Sequence, residues 1–540
     1  MNRLVAASKT VAQAEPKTEE VTFPAPRATV GLPSHGDAVV RIAAPAAAVG
    51  CEPTGIRADH PRRPVTSLSA RLSGHPVSTP AIHRPVTTAT PTDMDHHRRE
   101  RERRVWLTAK AGLLARAVGY GVRLAVIPLS LKLLGTERYG LWLTVGSLIT
   151  WLRMSDFGLS PGLVNALASA SGRNDRLEMR RLVSSGFFAF AVIGLIVLAT
   201  TVGLSQWSGI RTMLGISDRP DLWRDASLLV LISGAFLALS MPLNTVASVA
   251  LALQEGYLSA WSDILANIFN LSLLATLFLV GATLPMFAIG MSVPGLIGTA
   301  LLAIYIFASR HPDLAPSPRF CDRASLRTVW RYGGPLALSQ IAELSLFYST
   351  NILIANRLGP ASVPAYAIPL AMFMVVHSVA FSLIAPNLPA YAEASQRGDW
   401  TWVRKTVWRS FALANAIMVC GNLLFLVLGR AIIRWWAGPD VVPEWPLLVA
   451  FCVYFQLLTS MATAALILTG LGLVKLKAIL HCIFGLSSVL LTWFLLPLFG
   501  VSAPLLAGVV PLLAYVLVSA KYTSRLIGQD QTSARGTVSA

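Results

Sequence analysis

The sequence predicts an all-α polytopic membrane protein, with about twelve transmembrane helices arranged as two six-helix bundles around a central cavity. Hydrophobic residues make up 54% of the 540 residues and charged residues only 13%, whereas a soluble domain carries about 25% charged residues. The apolar residues also cluster in runs of roughly 20 or more, the length that crosses about 30 Å of hydrocarbon. Finally, the two halves of the chain carry similar landmarks in the same order, which predicts the two bundles.

The predicted spans are apolar runs that must be helical, because lipid offers no partner for free backbone N–H and C=O groups. They lie at about 107–134, 139–168, 182–205, 227–253, 258–280, 283–308, 329–357, 361–392, 407–429, 444–469, 474–497 and 501–520.

The net charge of +18 falls largely in short loops on one side of these spans. Those loops are Arg173–Arg181, Arg310–Arg327, Arg397–Lys405 and Lys475–Lys477, and the opposite loops are poorer in Lys and Arg. By the positive-inside rule, both termini and the basic loops are expected in the cytoplasm and the protein in the inner membrane. The positive charge of these loops is thus expected to interact with anionic membrane lipids, and we expect no nucleic-acid binding.

The domain organisation follows from the spans and from a shift in composition. Residues 1–100 are rich in Pro, Ala, Ser and Thr and predict a disordered N-terminal tail. After this tail come an N-lobe at 105–308, a cytoplasmic linker at 309–328, a C-lobe at 329–525 and a C-terminal tail at 526–540. Met94 is the next methionine after Met1, so a start of translation near Met94 is an alternative hypothesis. A peptide from residues 1–93 in native membranes would refute it.

An internal repeat supports the two lobes. Span 1 ends in Leu-Leu-Gly at 133–135 and span 7 in Arg-Leu-Gly at 357–359. Span 2 leads into a polar segment at 169–176, and span 8 leads into a similar one at 393–399. Paired bundles of this kind around a central site are an architecture of transporters.

Three segments also carry a resemblance to a known family: Leu134–Trp142 (LGTERYGLW), Ser155–Leu159 (SDFGL), and the stretch from Asn165 to Asp175. Over about 105–525 the chain resembles the polysaccharide and O-antigen flippases of the Wzx type, within the multidrug/oligosaccharidyl-lipid/polysaccharide exporter superfamily. The resemblance implies a MATE-like fold, alternating access and export of an undecaprenyl-pyrophosphate-linked oligosaccharide, the repeat unit of an O-antigen or exopolysaccharide. It also implies contacts with a polysaccharide polymerase and with glycosyltransferases.

Two other transporters stay open as alternatives: a multidrug exporter of the same superfamily, and a lipid II flippase. An enzyme is not expected, because the sequence has no glycine-rich phosphate loop, HExxH motif or nucleophile elbow. No cofactor is predicted. No metal site is predicted either, since no two cysteines form a CxxC pair and the Asp/His cluster at 93–97 lies in the polar tail.

Three arginines inside the spans are the predicted substrate-binding residues: Arg116, Arg123 and Arg153. Ionisable residues in a span are costly and mark functional sites. Arg116 and Arg123 are seven residues apart and share a helical face. A guanidinium group binds phosphate oxygens with paired donors and keeps its charge when desolvated, which suits a pyrophosphate. The alternative for Arg153 is a local ion pair with Asp156.

Three further ionisable residues are candidates for coupling or gating. Asp156 precedes Gly158 and Pro161, which can bend or unwind span 2. Glu343 lies near the middle of span 7, on a stripe that ends at Asn351, and could bind a proton or pair with an arginine. His377 lies deep in span 8, where a neutral hydrogen-bonding role is the alternative to proton coupling.

Overall fold

The computed structural model describes the backbone of residues 91–536 and the side chains of residue 103 and of residues 106–334 and 348–527. Residues 1–90, most of the predicted N-terminal tail, lie outside this range. The disorder of the tail and the alternative start at Met94 therefore stay predictions. The side chain of Glu343 also lies outside the described residues.

The described chain is helical throughout and contains no strand, as the sequence predicts. Its α-helices are α1 (Pro91–Arg153), α2 (Leu159–Gly172), α3 (Arg176–Gln206), α4 (Gly209–Met213), α5 (Pro220–Ala252), α6 (Gly256–Val280), α7 (Leu284–Ile304), α8 (Arg323–Leu358), α9 (Val363–Ile384), α10 (Asn387–Gln396), α11 (Trp400–Trp436), α12 (Trp445–Gly470), α13 (Val474–Phe499) and α14 (Ala503–Gly536).

Nine helical stretches in the described part are long and apolar enough to cross a membrane. One of them, Trp106–Gly172, has 67 residues and contains predicted spans 1 and 2. It bends at Gly135, whose φ of 74° and ψ of 170° interrupt α1. Another, Val474–Ile527, has 54 residues and turns at Gly500 between α13 and α14. The all-α polytopic fold is thus confirmed, and the count of twelve crossings stays a prediction.

The helices bury two groups of apolar cores, one on each side of the 309–328 linker. In the N-lobe, one core surrounds Leu163 and Val183 and a second surrounds Leu141 and Val145. In the C-lobe, the largest core surrounds Phe451 and Phe455. The second N-lobe core also takes in Ile368, Ala371, Ile433 and Val441 of the C-lobe, so the two lobes share buried apolar surface.

The predicted basic loops connect the helices at one end of the bundle, which we call the basic end; the opposite end is the far end. The linker is fastened to the α2–α3 region there, by an ion pair of 3.3 Å between Arg176 and Asp313. Asp322 begins α8 and accepts hydrogen bonds from the backbone N–H groups of Ala324 and Ser325. These bonds hold the pKa of the Asp322 carboxyl below its usual value.

The lobes meet at close backbone contacts within α8 and just after it, which we call the seam. Toward the basic end, a methyl group on Gly333 would lie 2.0 Å from the carbonyl oxygen of Gly158, so the two backbones touch. At the far end, a methyl group on Gly140 would lie 1.8 Å from the carbonyl oxygen of Pro360. Glycine at Gly333 and Gly140 is therefore what allows the helices of the two lobes to meet directly.

Candidate functional site

A cavity of about 740 Å³ lies between the lobes and is lined by both of them. Its N-lobe wall comes from α1, from the turn after it and from α7, and its C-lobe wall comes from α8 and α9. Apolar side chains such as Trp142 and Met374 form much of the wall. The polar lining residues are Tyr120, Arg123, Tyr139, Arg153, Asp156, Tyr348 and Asn351.

Arg123 and Arg153 give this cavity its charge. They lie on either side of the bend at Gly135, and the bend brings the two parts of α1 back to the same cavity. Neither guanidinium group forms an ion pair with any residue that the structure describes, and both side chains are exposed. Asp156 is the only acid that lines the cavity within the described residues. The described lining of the cavity therefore carries an excess of positive charge and is suited to an anion.

Asp156 belongs to a break in the second span. A short 3₁₀ turn, Met154–Asp156, separates α1 from α2, and Phe157 (φ 45°) and Gly158 (φ 80°) follow it in the left-handed conformation. One carboxylate oxygen of Asp156 accepts the backbone N–H of Gly158 at 3.0 Å. Among the described residues no ion pair links Asp156 to Arg153. The carboxylate therefore shapes the turn, while Arg153 stays available at the cavity wall.

Of the other residues predicted from the sequence, Arg116 and His377 do not line this cavity, and the side chain of Glu343 is not described. Arg116 lies seven residues before Arg123 on α1 and is not part of the cavity wall. His377 lies in the C-lobe, where its Nδ1 is 2.9 Å from the hydroxyl of Thr459 and its ring meets Phe455 edge-on. The helix that carries Glu343 forms a wall of the cavity, but nothing is described of its side chain. The roles of these three residues stay predictions.

Several polar residues of the site were not singled out from the sequence. Tyr120 lines the cavity and forms a hydrogen bond with Ser378, which joins α1 to α9 across the lobes. Tyr139 and Tyr348 line it as well. An isolated tyrosine in an apolar run carries no sequence signal of its own. For Asn351 the signal was present, because it ends the polar stripe of span 7.

A second cavity of about 390 Å³ lies inside the N-lobe and shares Arg153 with the first. Asp263, on the first turns of α6, lines it together with hydroxyl and amide groups such as those of Ser240 and Asn244. Asp263 forms no ion pair with any described residue. The sequence gives this carboxylate no distinguishing signal, because it lies near the start of predicted span 5, where a charged residue is ordinary.

The architecture is that of the MATE transporters. The chain superimposes on the inward-facing conformation of a multidrug resistance MATE family transporter of the MOP superfamily with a TM-score of 0.66, at 14% identity, over 76% of this chain and 94% of that one. The outward-facing conformation of such a transporter gives a TM-score of 0.55, at 13% identity, over 80% and 97%. These likenesses show the fold: a multi-pass, all-helical membrane fold built of two lobes.

Residues 110–395, more than half of the chain, match the family described as "Polysaccharide biosynthesis protein". The chain belongs to this family. It is also similar to a putative O-antigen transporter of Salmonella typhimurium, at 20% identity over 75% of this chain and 92% of that protein. A probable multidrug resistance protein NorM of Brucella suis is 24% identical over 65% of this chain and 77% of its own length.

Proposed function

We propose that this protein is a flippase that moves an undecaprenyl-pyrophosphate-linked oligosaccharide across the inner membrane by alternating access. The observation that carries the proposal is the pair Arg123 and Arg153, which face the cavity between the lobes without an ion-pair partner among the described residues. A pyrophosphate offers the charge and the oxygens that two guanidinium groups bind. The family and the similar O-antigen transporter support a saccharide as the cargo.

In this proposal the cavity binds the pyrophosphate and the nearest sugars. Its volume of about 740 Å³ falls within the range of sites that enclose one small ligand, so the polyprenyl chain stays in the bilayer. Tyr120, Tyr139 and Tyr348 would provide hydroxyl groups and ring faces for the sugars. The break at Phe157 and Gly158 would let the wall near Arg153 change shape as the lobes move.

The proposed function also implies an orientation in the membrane and a set of neighbouring proteins. Both termini would lie in the cytoplasm, because the positive-inside rule assigns the basic end to that side. A polysaccharide polymerase and glycosyltransferases would be its neighbours, since they make and use the lipid-linked unit. The chain would carry no catalytic activity of its own and would need no cofactor.

A multidrug exporter is the second candidate, and the similarity to a NorM protein is the observation that favours it. Such an exporter expels amphipathic cations, and a cavity whose described residues include two unpaired arginines and one carboxylate disfavours them. A lipid II flippase would share the cationic cavity, so it differs from the proposed function only in the sugar that the cavity accepts.

The deciding experiment measures the leaflet in which lipid-linked oligosaccharide resides after the protein is depleted from its native host. The proposal expects the glycolipid to accumulate and to stay hidden from an external lectin or periodate probe. An unchanged glycolipid pool together with increased sensitivity to dyes and drugs would instead establish the multidrug exporter. Accumulation of lipid II alone would establish the third alternative.

A further inference from the structure

A groove of about 480 Å³ lies outside the central cavity, between α11, α12 and α14 of the C-lobe. Among the described residues, its walls carry one charged residue, Arg404, and no acid. Arg404 lies in the first turns of α11, at the basic end, and forms no ion pair with a described residue. No described carboxylate therefore neutralises this cation at the groove.

The groove carries its polar groups toward the basic end. Arg404, Thr523 and Ser524 line that part together with the apolar Ile527, whereas Phe411 and Val516 line the deeper part. Phe411 follows Arg404 by seven residues and Val516 precedes Thr523 by seven, so both pairs span about 10 Å along a helix axis. The order of the groups, from charge to hydroxyl to hydrocarbon, matches a phospholipid entering from the leaflet at the basic end.

Ser519 provides a second and independent observation. It lines the groove between the polar and apolar parts, is only 1% exposed, and its hydroxyl has no hydrogen-bond partner among the described residues. A buried hydroxyl without a partner is costly, and such groups usually have a ligand or water to bond. A phosphate or glycerol oxygen in the groove would accept this hydrogen bond once the Ser519 side chain rotates toward it.

We propose that this groove binds one anionic phospholipid, whose phosphate is held by Arg404 and Ser519 and whose acyl chains lie against Phe411, Val516 and Trp408. Anionic lipids are attracted to basic residues beside the membrane. Trp408, 71% exposed, gives the groove an aromatic rim of the kind found at membrane interfaces. The proposal is independent of the cargo of the central cavity.

The test is native mass spectrometry of the delipidated full-length protein, titrated with phosphatidylglycerol or with phosphatidylcholine of the same acyl chains. The first phosphatidylglycerol should bind about fivefold more tightly than the first phosphatidylcholine, the effect of one favourable charge contact at a membrane surface. Arg404→Gln should abolish this preference. Arg409→Gln is the matched control, because Arg409 lies on the same helix, is exposed and does not line the groove.

Two further variants separate a lost site from a damaged fold. Ser519→Ala removes only the hydroxyl and should weaken phosphatidylglycerol binding several-fold. Ser519→Leu should fill the groove and weaken both lipids, in protein that still elutes as a monodisperse peak. The proposal is overturned if Arg404→Gln and Arg409→Gln behave alike, or if wild-type protein does not prefer phosphatidylglycerol. It is also overturned if undecaprenyl phosphate binds in an Arg404-dependent way more tightly than phosphatidylglycerol, because the groove would then serve the carrier lipid.

Discussion

The amide nitrogen of Asn351 donates a hydrogen bond of 3.0 Å to the hydroxyl oxygen of Ser147, and this bond links α8 of one lobe to α1 of the other. The Ser147 hydroxyl in turn donates a hydrogen bond of 2.9 Å to the carbonyl oxygen of Leu143. The two side chains are 9% and 3% exposed. The amide oxygen of Asn351 is buried without a partner among the described residues, and Asn351 lines the cavity. One side chain thus joins the lobes at the wall of the cavity.

A double-mutant cycle on Ser147 and Asn351 should measure this link. We expect Ser147→Ala and Asn351→Ala each to destabilise the protein, and the pair to be coupled by about 0.6 kcal/mol, the average for hydrogen bonds between membrane helices. The free energy of unfolding in mixed micelles is the measurement. A coupling energy of zero would mean that the bond contributes nothing to the association of the lobes.

Gly333→Ala should force the seam between the lobes open. The added methyl group would lie 2.0 Å from the backbone carbonyl of Gly158, and neither backbone can move without shifting its helix. Overpacking of this kind costs about 1–3 kcal/mol, so a lower melting temperature and reduced export are expected. The neighbouring Gly334 is the control, since a methyl group there has no atom within 4 Å. Equal effects of Gly333→Ala and Gly334→Ala would contradict the close packing described here.

Arg123→Ala should abolish export while leaving the protein in the membrane, because it removes one of the two cationic groups among the described residues of the cavity. Complementation of a flippase-null strain, with the amount of protein in the membrane measured in parallel, is the assay. Lys110→Ala is the control on the same helix, because Lys110 is exposed and lies over the ring of Trp106, 4.9 Å from its centroid. Full complementation by Arg123→Ala would remove Arg123 from the binding site.

Asp263→Asn should reduce export strongly, because Asp263 is an ionisable group in the N-lobe cavity that also contains Arg153. The substitution keeps the size of the side chain and removes its charge. Asp218→Asn, in an exposed loop at the far end, is the matched control. Normal export by Asp263→Asn at every external pH tested would show that the carboxylate takes no part in transport.

Glu255→Gln should destabilise the basic end of the N-lobe. Glu255 is 2% exposed, and its carboxylate oxygens lie 3.4 Å from Arg310 and 3.2 Å from His311. Losing a buried, charge-assisted pair costs about 2 kcal/mol. Glu393→Gln should leave stability unchanged, because its pair with Arg397 is exposed on both sides and solvent weakens it. Thermal unfolding of the two purified variants compares them directly.

The sequence predicted the positions of the helices better than it predicted which helix faces pack against one another. The break at 155–158 and the cavity-lining residues Arg123, Arg153 and Asp156 could be predicted from glycines and from charges in apolar runs. The partnership of Ser147 with Asn351 could not be read in this way. In a membrane both the lipid-facing and the buried faces are apolar, so the pattern of hydrophobic residues does not reveal which face meets the other lobe. Asp263 was missed for a related reason, since its depth alone did not distinguish an interfacial charge from one that faces a cavity.

The seam along α8 has a mechanical consequence. The contacts at Gly333, Asn351 and Pro360 join the lobes within and just after α8, and the Tyr120–Ser378 bond separately links α1 to α9. If the lobes rotate about the seam, the displacement is largest farthest from it. We expect the widest opening where α1 faces α9, so a bulky head group would cross there while the contacts of the seam stay intact.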